Sequence, residues 1–438
     1  MKWQQITFGE ILHVKHGWAF KSEYFSDAGE HIVLTPGNFY EEGGFKSRGD
    51  KDRFYSGDYP SEYLLSKGNV IVAMTEQGEG LLGSTALIPE DNRYLHNQRL
   101  GLVTIKDNVE ADLFFVYKLF NTQMVRQQIS GSASGAKVKH TAPERIYKCK
   151  VHLPPIEIQQ KIATILSAYD DLIENNLKRI KLLEEMAQIT YEEWFVRLKF
   201  PGHETTSIDS KTYLPVGWAK VKLGVCCDIT SSKRIFLSDY VEQGIPFYRG
   251  KEIILKSKNE DLRDVLYISV DKYLEIEKTF GTPKPGDILI TAVGTLGFPY
   301  LVNDRDGKFY FKDGNLIWLR DFKTFTNASY FICVFKNRKF QNLLDSIAIG
   351  SSQKALTIQG IKNLDIVMPS KQVIDKFNDV IIPVLKVIEN LLAENHLLKE
   401  ARDILLPRLM TGMIDVEQLN HFVGADLSAH VNPIERCG

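Results

Sequence analysis

At the 215-residue offset that carries Trp3 onto Trp218, Gly9 falls on Gly224, Gly135 on Gly350, Lys139 on Lys354, Ile146 on Ile361 and Pro154 on Pro369. The register runs on without a gap through Lys161 and Lys376, Ile173 and Ile388, Asn175 and Asn390, Leu183 and Leu398, and Glu185 and Glu400. Solenoid units run to about 20–50 residues, so a period this long means two copies of a domain, each carrying an appendage. A chain of 438 residues is also more than one ordinary core serves.

The first part of each copy reads as short strands with glycine-rich turns. Lys67-Gly68-Asn69 precedes Val70-Ile71-Val72-Ala73-Met74, and Lys284-Pro285-Gly286-Asp287 precedes Ile288-Leu289-Ile290. The apolar runs Leu113 to Tyr117 and Tyr330 to Phe335 are expected as helices packed on these sheets, which makes each domain α+β. The second part differs. From Leu153-Pro154-Pro155 to Phe200-Pro201-Gly202 the chain has no internal glycine or proline, the punctuation of one long helix. Two series recur every seven residues: Ile162, Tyr169, Asn176, Leu183, Thr190 and Leu166, Ile173, Ile180, Ala187, Trp194. The second copy answers with Phe377, Val384, Leu391, Leu398, Leu405 and Ile381, Ile388, Asn395, Arg402, Leu409. Pro383 and Pro407 predict an early kink and an end near Leu406. A helical stretch of about 33 residues makes a rod of roughly 50 Å.

Composition narrows the function classes. A hydrophobic content of 44% and charged content of 25% are those of an ordinary globular protein. The N-terminus has no signal-peptide core and no stretch approaches ~18 uninterrupted apolar residues, so a cytoplasmic protein without membrane association is expected. The five cysteines lack paired or metal-ligand spacing, so neither a disulfide framework nor a metal site is indicated. A formal net charge of -1 is not that of a simple DNA-binding domain, so any nucleic-acid contact must come from local patches. There is no GxxxxGK[ST] loop, and Leu153-Pro154-Pro155-Ile156 lacks the polar first residue of an amino-methyltransferase motif; no catalytic residue is assigned. Asp170-Asp171 and Glu184-Glu185 are expected on solvated helix faces.

Two strand-rich domains, each followed by a long heptad helix, resemble the specificity subunits of type I restriction–modification systems. The motifs carrying the likeness are Gly17-Trp18-Ala19-Phe20-Lys21, Ile245-Pro246-Phe247-Tyr248-Arg249-Gly250, and Leu153-Pro154-Pro155-Ile156-Glu157-Ile158-Gln159-Gln160; Met368-Pro369-Ser370-Lys371 departs from the double-proline form. The resemblance implies target-recognition domains at 1–153 and 215–368 and spacer helices at 154–200 and 369–412, with a linker at 201–214 and a tail at 413–438. It also implies a non-catalytic reader of a bipartite, asymmetric target in double-stranded DNA. Its partners would be two modification (methyltransferase) subunits and restriction (translocase/nuclease) subunits. S-adenosylmethionine, ATP and Mg would belong to those partners, with no cofactor on this chain. Rod length would set the spacing between half-sites. Two rival classes remain: a coiled-coil scaffold that binds no nucleic acid, and a DNA-modifying enzyme with an unrecognised active site.

Between Gly131 and Lys150, five cations (Lys137, Lys139, Arg145, Lys148, Lys150) stand against one acid, Glu144. This segment, with Ser134, is the first candidate for phosphate contact, and its counterpart offers Ser351, Ser352, Gln353 and Lys354. Polar loops add Lys21, Asn38, Gln77, Asn97, Arg99, Arg249, Lys251 and Asn315 as DNA-binding candidates; Trp18, Phe20 and Tyr248 could stack or belong to the core.

The duplication is most simply satisfied by a pseudo-two-fold, antiparallel coiled coil with a reader at each end. Aligning helix centres pairs residues whose numbers sum to 571. Leu166 then meets Leu405, Ile180 meets Leu391, Leu183 meets Ile388 and Trp194 meets Phe377, while Asn176 faces Asn395. A buried amide needs a partner, so these asparagines are expected to fix the axial register.

Overall fold

The computed structural model describes residues 3–76, 78, 80–135, 138–258, 260, 262, 264–323, 327–350 and 354–417. It divides into two compact units, residues 1–173 with 397–438, and residues 174–396.

In the first unit the strands are β1 (Gln4–Thr7), β2 (Leu12–His16), β3 (Phe25–Ser26), β4 (His31–Val33), β5 (Phe54–Tyr55), β6 (Val70–Ala73), β7 (Thr85–Leu87), β8 (Tyr94–Leu95), β9 (Leu100–Ile105) and β10 (Lys150–Leu153). In the second they are β11 (Ala219–Lys222), β12 (Asp228–Thr230), β13 (Tyr240–Val241), β14 (Ile245–Tyr248), β15 (Leu266–Ile268), β16 (Ile288–Thr291), β17 (Pro299–Leu301), β18 (Tyr310–Phe311), β19 (Leu316–Arg320) and β20 (Asp365–Met368). Each unit has one pair and two four-stranded sheets of identical order: β1-β10, β2-β9-β6-β7 and β3-β5-β4-β8, repeated as β11-β20, β12-β19-β16-β17 and β13-β15-β14-β18. The register repeats too, since Gln4 pairs with Leu153 as Ala219 does with Met368.

β6 and β16 lie at the centre of these sheets and are buried along their whole length, as continuous runs of Val and Ile are in a strand covered on both faces. Against them pack α1 (Leu113–Phe120) and α2 (Gln123–Gly131) in the first unit, and α4 (Ala328–Lys336) and α5 (Arg338–Ile347) in the second. The apolar runs read from the sequence are thus helices. Asp112 and Asn327 start them by accepting the Phe115 and Ser329 amides. A glycine is required where the turn after the central strand touches the second of these helices. At Gly83 (φ +76°) a Cβ would meet Ile129 at 2.9 Å, and at Gly297 (φ +74°) it would meet Gln341 at 2.9 Å.

The long helices are α3 (Ile156–Tyr191) and α6 (Lys371–Met410), and each contributes to both units. Within the first unit, Ile162 and Leu166 of α3 share a core with Leu405, Leu409 and Met410 of α6. Within the second, Ile180 clusters with Val384, Ile388 and Leu391, and the Trp194 and Phe377 rings lie 5.7 Å apart. In both units numbers rise along one helix as they fall along the other, so the pairing is antiparallel. The Asn176 amide donates to Asn395 Oδ1 at 3.0 Å, with both side chains buried.

Both helix ends differ from the expectation. α3 stops at Tyr191, short of 200, because a π-helical turn, Glu192–Val196, turns Phe195 into the core against Phe377 (4.8 Å), Tyr330 (5.0 Å) and Trp218 (5.8 Å). α6 runs through Pro383 and Pro407 to Met410, beyond Leu406. Burial of Leu409 and Met410 in the first unit's core offsets the lost proline hydrogen bonds. Gly412 (φ +71°) then ends the helix against Trp3. Each unit's first tryptophan therefore seats the end of a long helix: Trp3 that of α6, Trp218 that of α3.

A candidate nucleic-acid interface at one end of each sheet

In the first unit the last residues of β2, the first of β9 and the residues after β6 lie together. The Trp18 amide donates to His96 O (2.8 Å), the Gln98 amide to Trp18 O (3.0 Å) and the Met74 amide to Arg99 O (3.0 Å). The basic loop joins this end, because the Glu76 amide donates to Lys139 O (2.9 Å) and the Thr141 amide to Met74 O (2.9 Å). Ser134 and His140 close the loop through a pair of backbone hydrogen bonds. Lys21, Arg99, Ser134 and Lys139 are exposed there, Asn97 is half-buried, and Trp18 is 40% exposed.

The second unit repeats the arrangement with other side chains. The Ala292 amide donates to Asn315 O (2.8 Å), the Leu356 amide to Ala292 O (2.8 Å), and Ala355 bridges Ile349 and Val293. This brings half-buried Asn315 beside exposed Lys354. Ser231, at the end of β12, donates to Leu316 O (2.9 Å) and accepts from the Gly314 amide. Exposed Lys312 follows β18; neither it nor the Lys233–Leu237 segment was among the residues singled out from sequence.

Four of the candidates are taken up within their own domain. Asn38 is 2% exposed, with its Oδ1 accepting from the Thr35 amide (3.0 Å) and its Nδ2 donating to Lys46 O (3.3 Å), so it holds a turn and presents no base-reading edge. Arg249 is gripped by buried Glu252, Nη2 to Oε1 at 2.6 Å and Nε to Oε2 at 3.2 Å, which leaves little of its fork for a base. Tyr248 is buried and Phe20 packs on Tyr55, so both serve the core. Lys251 stays exposed at the start of a short helix. Gln77, Lys137, Ser351, Ser352 and Gln353 lie outside the described residues.

The seam between domain and helix differs between the units. In the first, Lys118 of α1 is 6% exposed and its ammonium contacts Asp170 of α3, which also accepts from Arg402 of α6 at 2.9 Å. Burial lowers the lysine's pKa against the opposing pull of Asp170. Burial acts on Arg402 in the same sense, but there the hydrogen bond and charge of Asp170 prevail and raise it. Asp170 is therefore not on a solvated face, and Glu184 is likewise paired, with Lys336 at 2.8 Å. At the 215-residue offset the triad becomes Cys333, Leu385 and Ala187. All three line a cleft of about 440 Å³ within the second unit, with Ile332, Leu301 and Ile382 beside them.

Cys149, Cys226, Cys227 and Cys333 are buried thiols, and Cys437 lies outside the described residues. Burial raises all four, Cys333 to about 12, far from a reactive thiolate. Among the described residues no group of three or more His, Cys, Asp or Glu is placed to hold a metal, and no helix is long and apolar enough to cross a membrane.

A duplicated α+β domain on antiparallel paired helices, with polar loops gathered at one end of the same sheet in each copy, is the architecture of a two-part recognition protein. The family model "Type I restriction modification DNA specificity domain" matches residues 1–185 and again 215–401, and the chain belongs to that family. It is 27% identical over 330 residues to the type I restriction enzyme MjaIX specificity subunit of Methanocaldococcus jannaschii, covering 74% of this chain and 73% of that one. It is 23% identical to the MjaVIII specificity subunit of the same organism, covering 72% and 73%. The crystal structure of a type I restriction–modification S subunit from M. genitalium superposes with a TM-score of 0.56 at 16% identity, covering 94% of this chain and 96% of that chain, a likeness of fold.

Proposed function

We propose that this chain is the non-catalytic specificity subunit of a type I restriction–modification complex, reading one half of a bipartite DNA target with each domain. The observation that carries the reading is the repeated sheet end. One backbone scaffold presents Trp18, Asn97, Arg99 and Lys139 in one unit, and Lys312, Asn315 and Lys354 at the matching end of the other. Side chains that differ on a common scaffold read different words, so the target is asymmetric. Exposed lysines contact phosphate, and Asn97, Arg99 and Asn315 stand where base edges are reached. The buried Asn176–Asn395 pair fixes the register of the helices. The partners are two methyltransferase subunits, which bring S-adenosylmethionine, and restriction subunits, which bring ATP and Mg chemistry, all in the cytoplasm.

Co-expression with a type I methyltransferase subunit from the same genome, followed by sequencing of modified bases in plasmid DNA, tests this. A single two-part asymmetric motif, modified only when this chain is present, is the expected result. Modification independent of the chain, or a chain that assembles with no methyltransferase and binds no duplex, would refute it.

A further inference from the structure

Ser231 to Ser238 follows β12 as Gly17 to Ser22 follows β2, but the two segments carry different chemistry. At the 215-residue offset Lys21 and Ser22 become Phe236 and Leu237, while Trp18 and Ala19 become Lys233 and Arg234. Phe236 is 61% exposed and Leu237 85% exposed, among the most exposed large apolar side chains described. An isolated exposed leucine calls for no explanation, but two adjacent ones on a constrained tip do.

The tip is held in place. The Lys233 amide donates to the hydroxyl of fully buried Tyr310 at 2.7 Å, and Ile235 is buried in a core with Phe247, Ile268 and Tyr273. The Phe236 amide donates to Asp239 at 2.9 Å, closing a 3-10 turn at Leu237–Asp239. Ser231 ties the base of the segment to the Gly314–Leu316 turn beside Asn315. The backbone is thus fixed on both sides while Phe236 and Leu237 are exposed, and exposed Lys233 and Arg234 precede them directly in the chain, the Lys233 ammonium lying 4.4 Å from the Phe280 ring. The Arg234 guanidinium lies 5.8 Å from the Phe236 ring.

We infer that Phe236 and Leu237 form a wedge that enters the stack of the DNA half-site read by the second unit, unstacking one base step and kinking the duplex there. The inference rests on the reading of the chain as a DNA reader. Apolar wedges flanked by cations are how proteins kink a duplex, the cations holding phosphates while the wedge replaces lost stacking. A preordered tip loses little entropy on insertion, and burying Phe and Leu between bases removes exposed apolar surface. Lys21 and Ser22, at the same place in the first unit, offer phosphate contact but nothing to insert, and the nearby Trp18 ring leans on Tyr63 at 5.5 Å, so the deformation is confined to one half-site. Sequence preference follows without base hydrogen bonds, because flexible pyrimidine–purine steps kink more easily.

The test uses the complex of the full chain with its methyltransferase and duplexes carrying 2-aminopurine at each step of both half-sites. Leaving aside the bases that the methyltransferase itself flips out for modification, wild type should raise fluorescence several-fold at one step of the second half-site and at none in the first. Phe236→Ser with Leu237→Ser, at positions exposed enough to leave the melting temperature unchanged, should abolish that signal and weaken binding about 10- to 100-fold. A mismatch at that step should restore most of the affinity. Low fluorescence in wild type at every step other than the flipped bases, or a signal at such a step that survives the double variant, overturns the wedge while leaving DNA reading intact. Loss of methyltransferase assembly with unchanged DNA deformation would make the tip a protein contact and also overturn it. Failure of the wild-type complex to bind any duplex would remove the DNA-reading function itself.

Discussion

The two seams between domain and helix began as one design and solved the same packing problem with opposite chemistry. In the first unit Lys118, Asp170 and Arg402 make a largely buried ion triad; in the second the same three positions are Cys333, Leu385 and Ala187 beside a cleft of about 440 Å³. A buried charge that loses its partner is costly, whereas an apolar seam tolerates change one group at a time. The triad therefore changes as a block or not at all, and it allows one geometry of approach. The apolar seam gains contact area without direction and leaves space. The duplication thus kept the scaffold and varied its side chains, at the seam as at the sheet end.

The largest effect should come from breaking the triad. Asp170→Leu alone leaves Lys118 and Arg402 facing each other without their acid and should cost about 3–5 kcal/mol in chemical denaturation. Adding Lys118→Cys and Arg402→Ala, which copies the second unit's seam, should recover most of that. A triple variant as unstable as the single one would mean that the two seams are not interchangeable solutions.

Acid should separate the units next. His96 is completely buried, with Nε2 3.0 Å from Leu100 O and no partner for Nδ1, and burial depresses its pKa from 6.5 to about 4. Its folded form stays neutral while the unfolded chain takes a proton, so stability is lost as pH falls from about 6.5 towards 4. The loss approaches roughly 3 kcal/mol. In the second unit the residue that follows β18, as His96 follows β8, is exposed Lys312, and no buried imidazole stands there. Hydrogen exchange should show the first unit's core losing protection over that range beyond what the second unit loses; equal losses would remove His96 as the cause.

Asn176→Leu should cost about 1–3 kcal/mol by removing the buried amide that donates to Asn395 Oδ1, and Asn176→Leu with Asn395→Leu should recover stability while loosening the register. The smallest effect is at the sheet ends. Lys139→Ala and Lys354→Ala should each weaken binding to all sequences alike and lower the salt slope by about one, without changing the word read. An altered word would make either lysine a base reader.

How much of this was legible in the sequence follows from how local each cause is. The repeat, the α+β character and the long helices showed plainly, because spacing within one stretch of chain encodes them. The facing asparagines could be named because heptad arithmetic fixes which residues meet in an antiparallel pair. The triad could not, since Asp170 meets partners 52 and 232 residues away and two adjacent acids on a helix read as solvated. Asn38 looked like a loop residue free to reach DNA, but its amide is used up on its own turn. Arg249 looked available until Glu252, three residues on, proved to be buried against it. The Lys233–Leu237 tip was missed although aligning it with Gly17 to Ser22 would have exposed the change of Lys21-Ser22 to Phe236-Leu237 and of Trp18-Ala19 to Lys233-Arg234.

The claim that two copies of one scaffold read two independent words is tested most directly by exchange. Residues 215–368 should be replaced by the corresponding segment of a relative, and the modified bases mapped in cells expressing the chimera with its methyltransferase. One half of the motif should change and the other half and the modification itself should persist; a change in both halves would contradict the account.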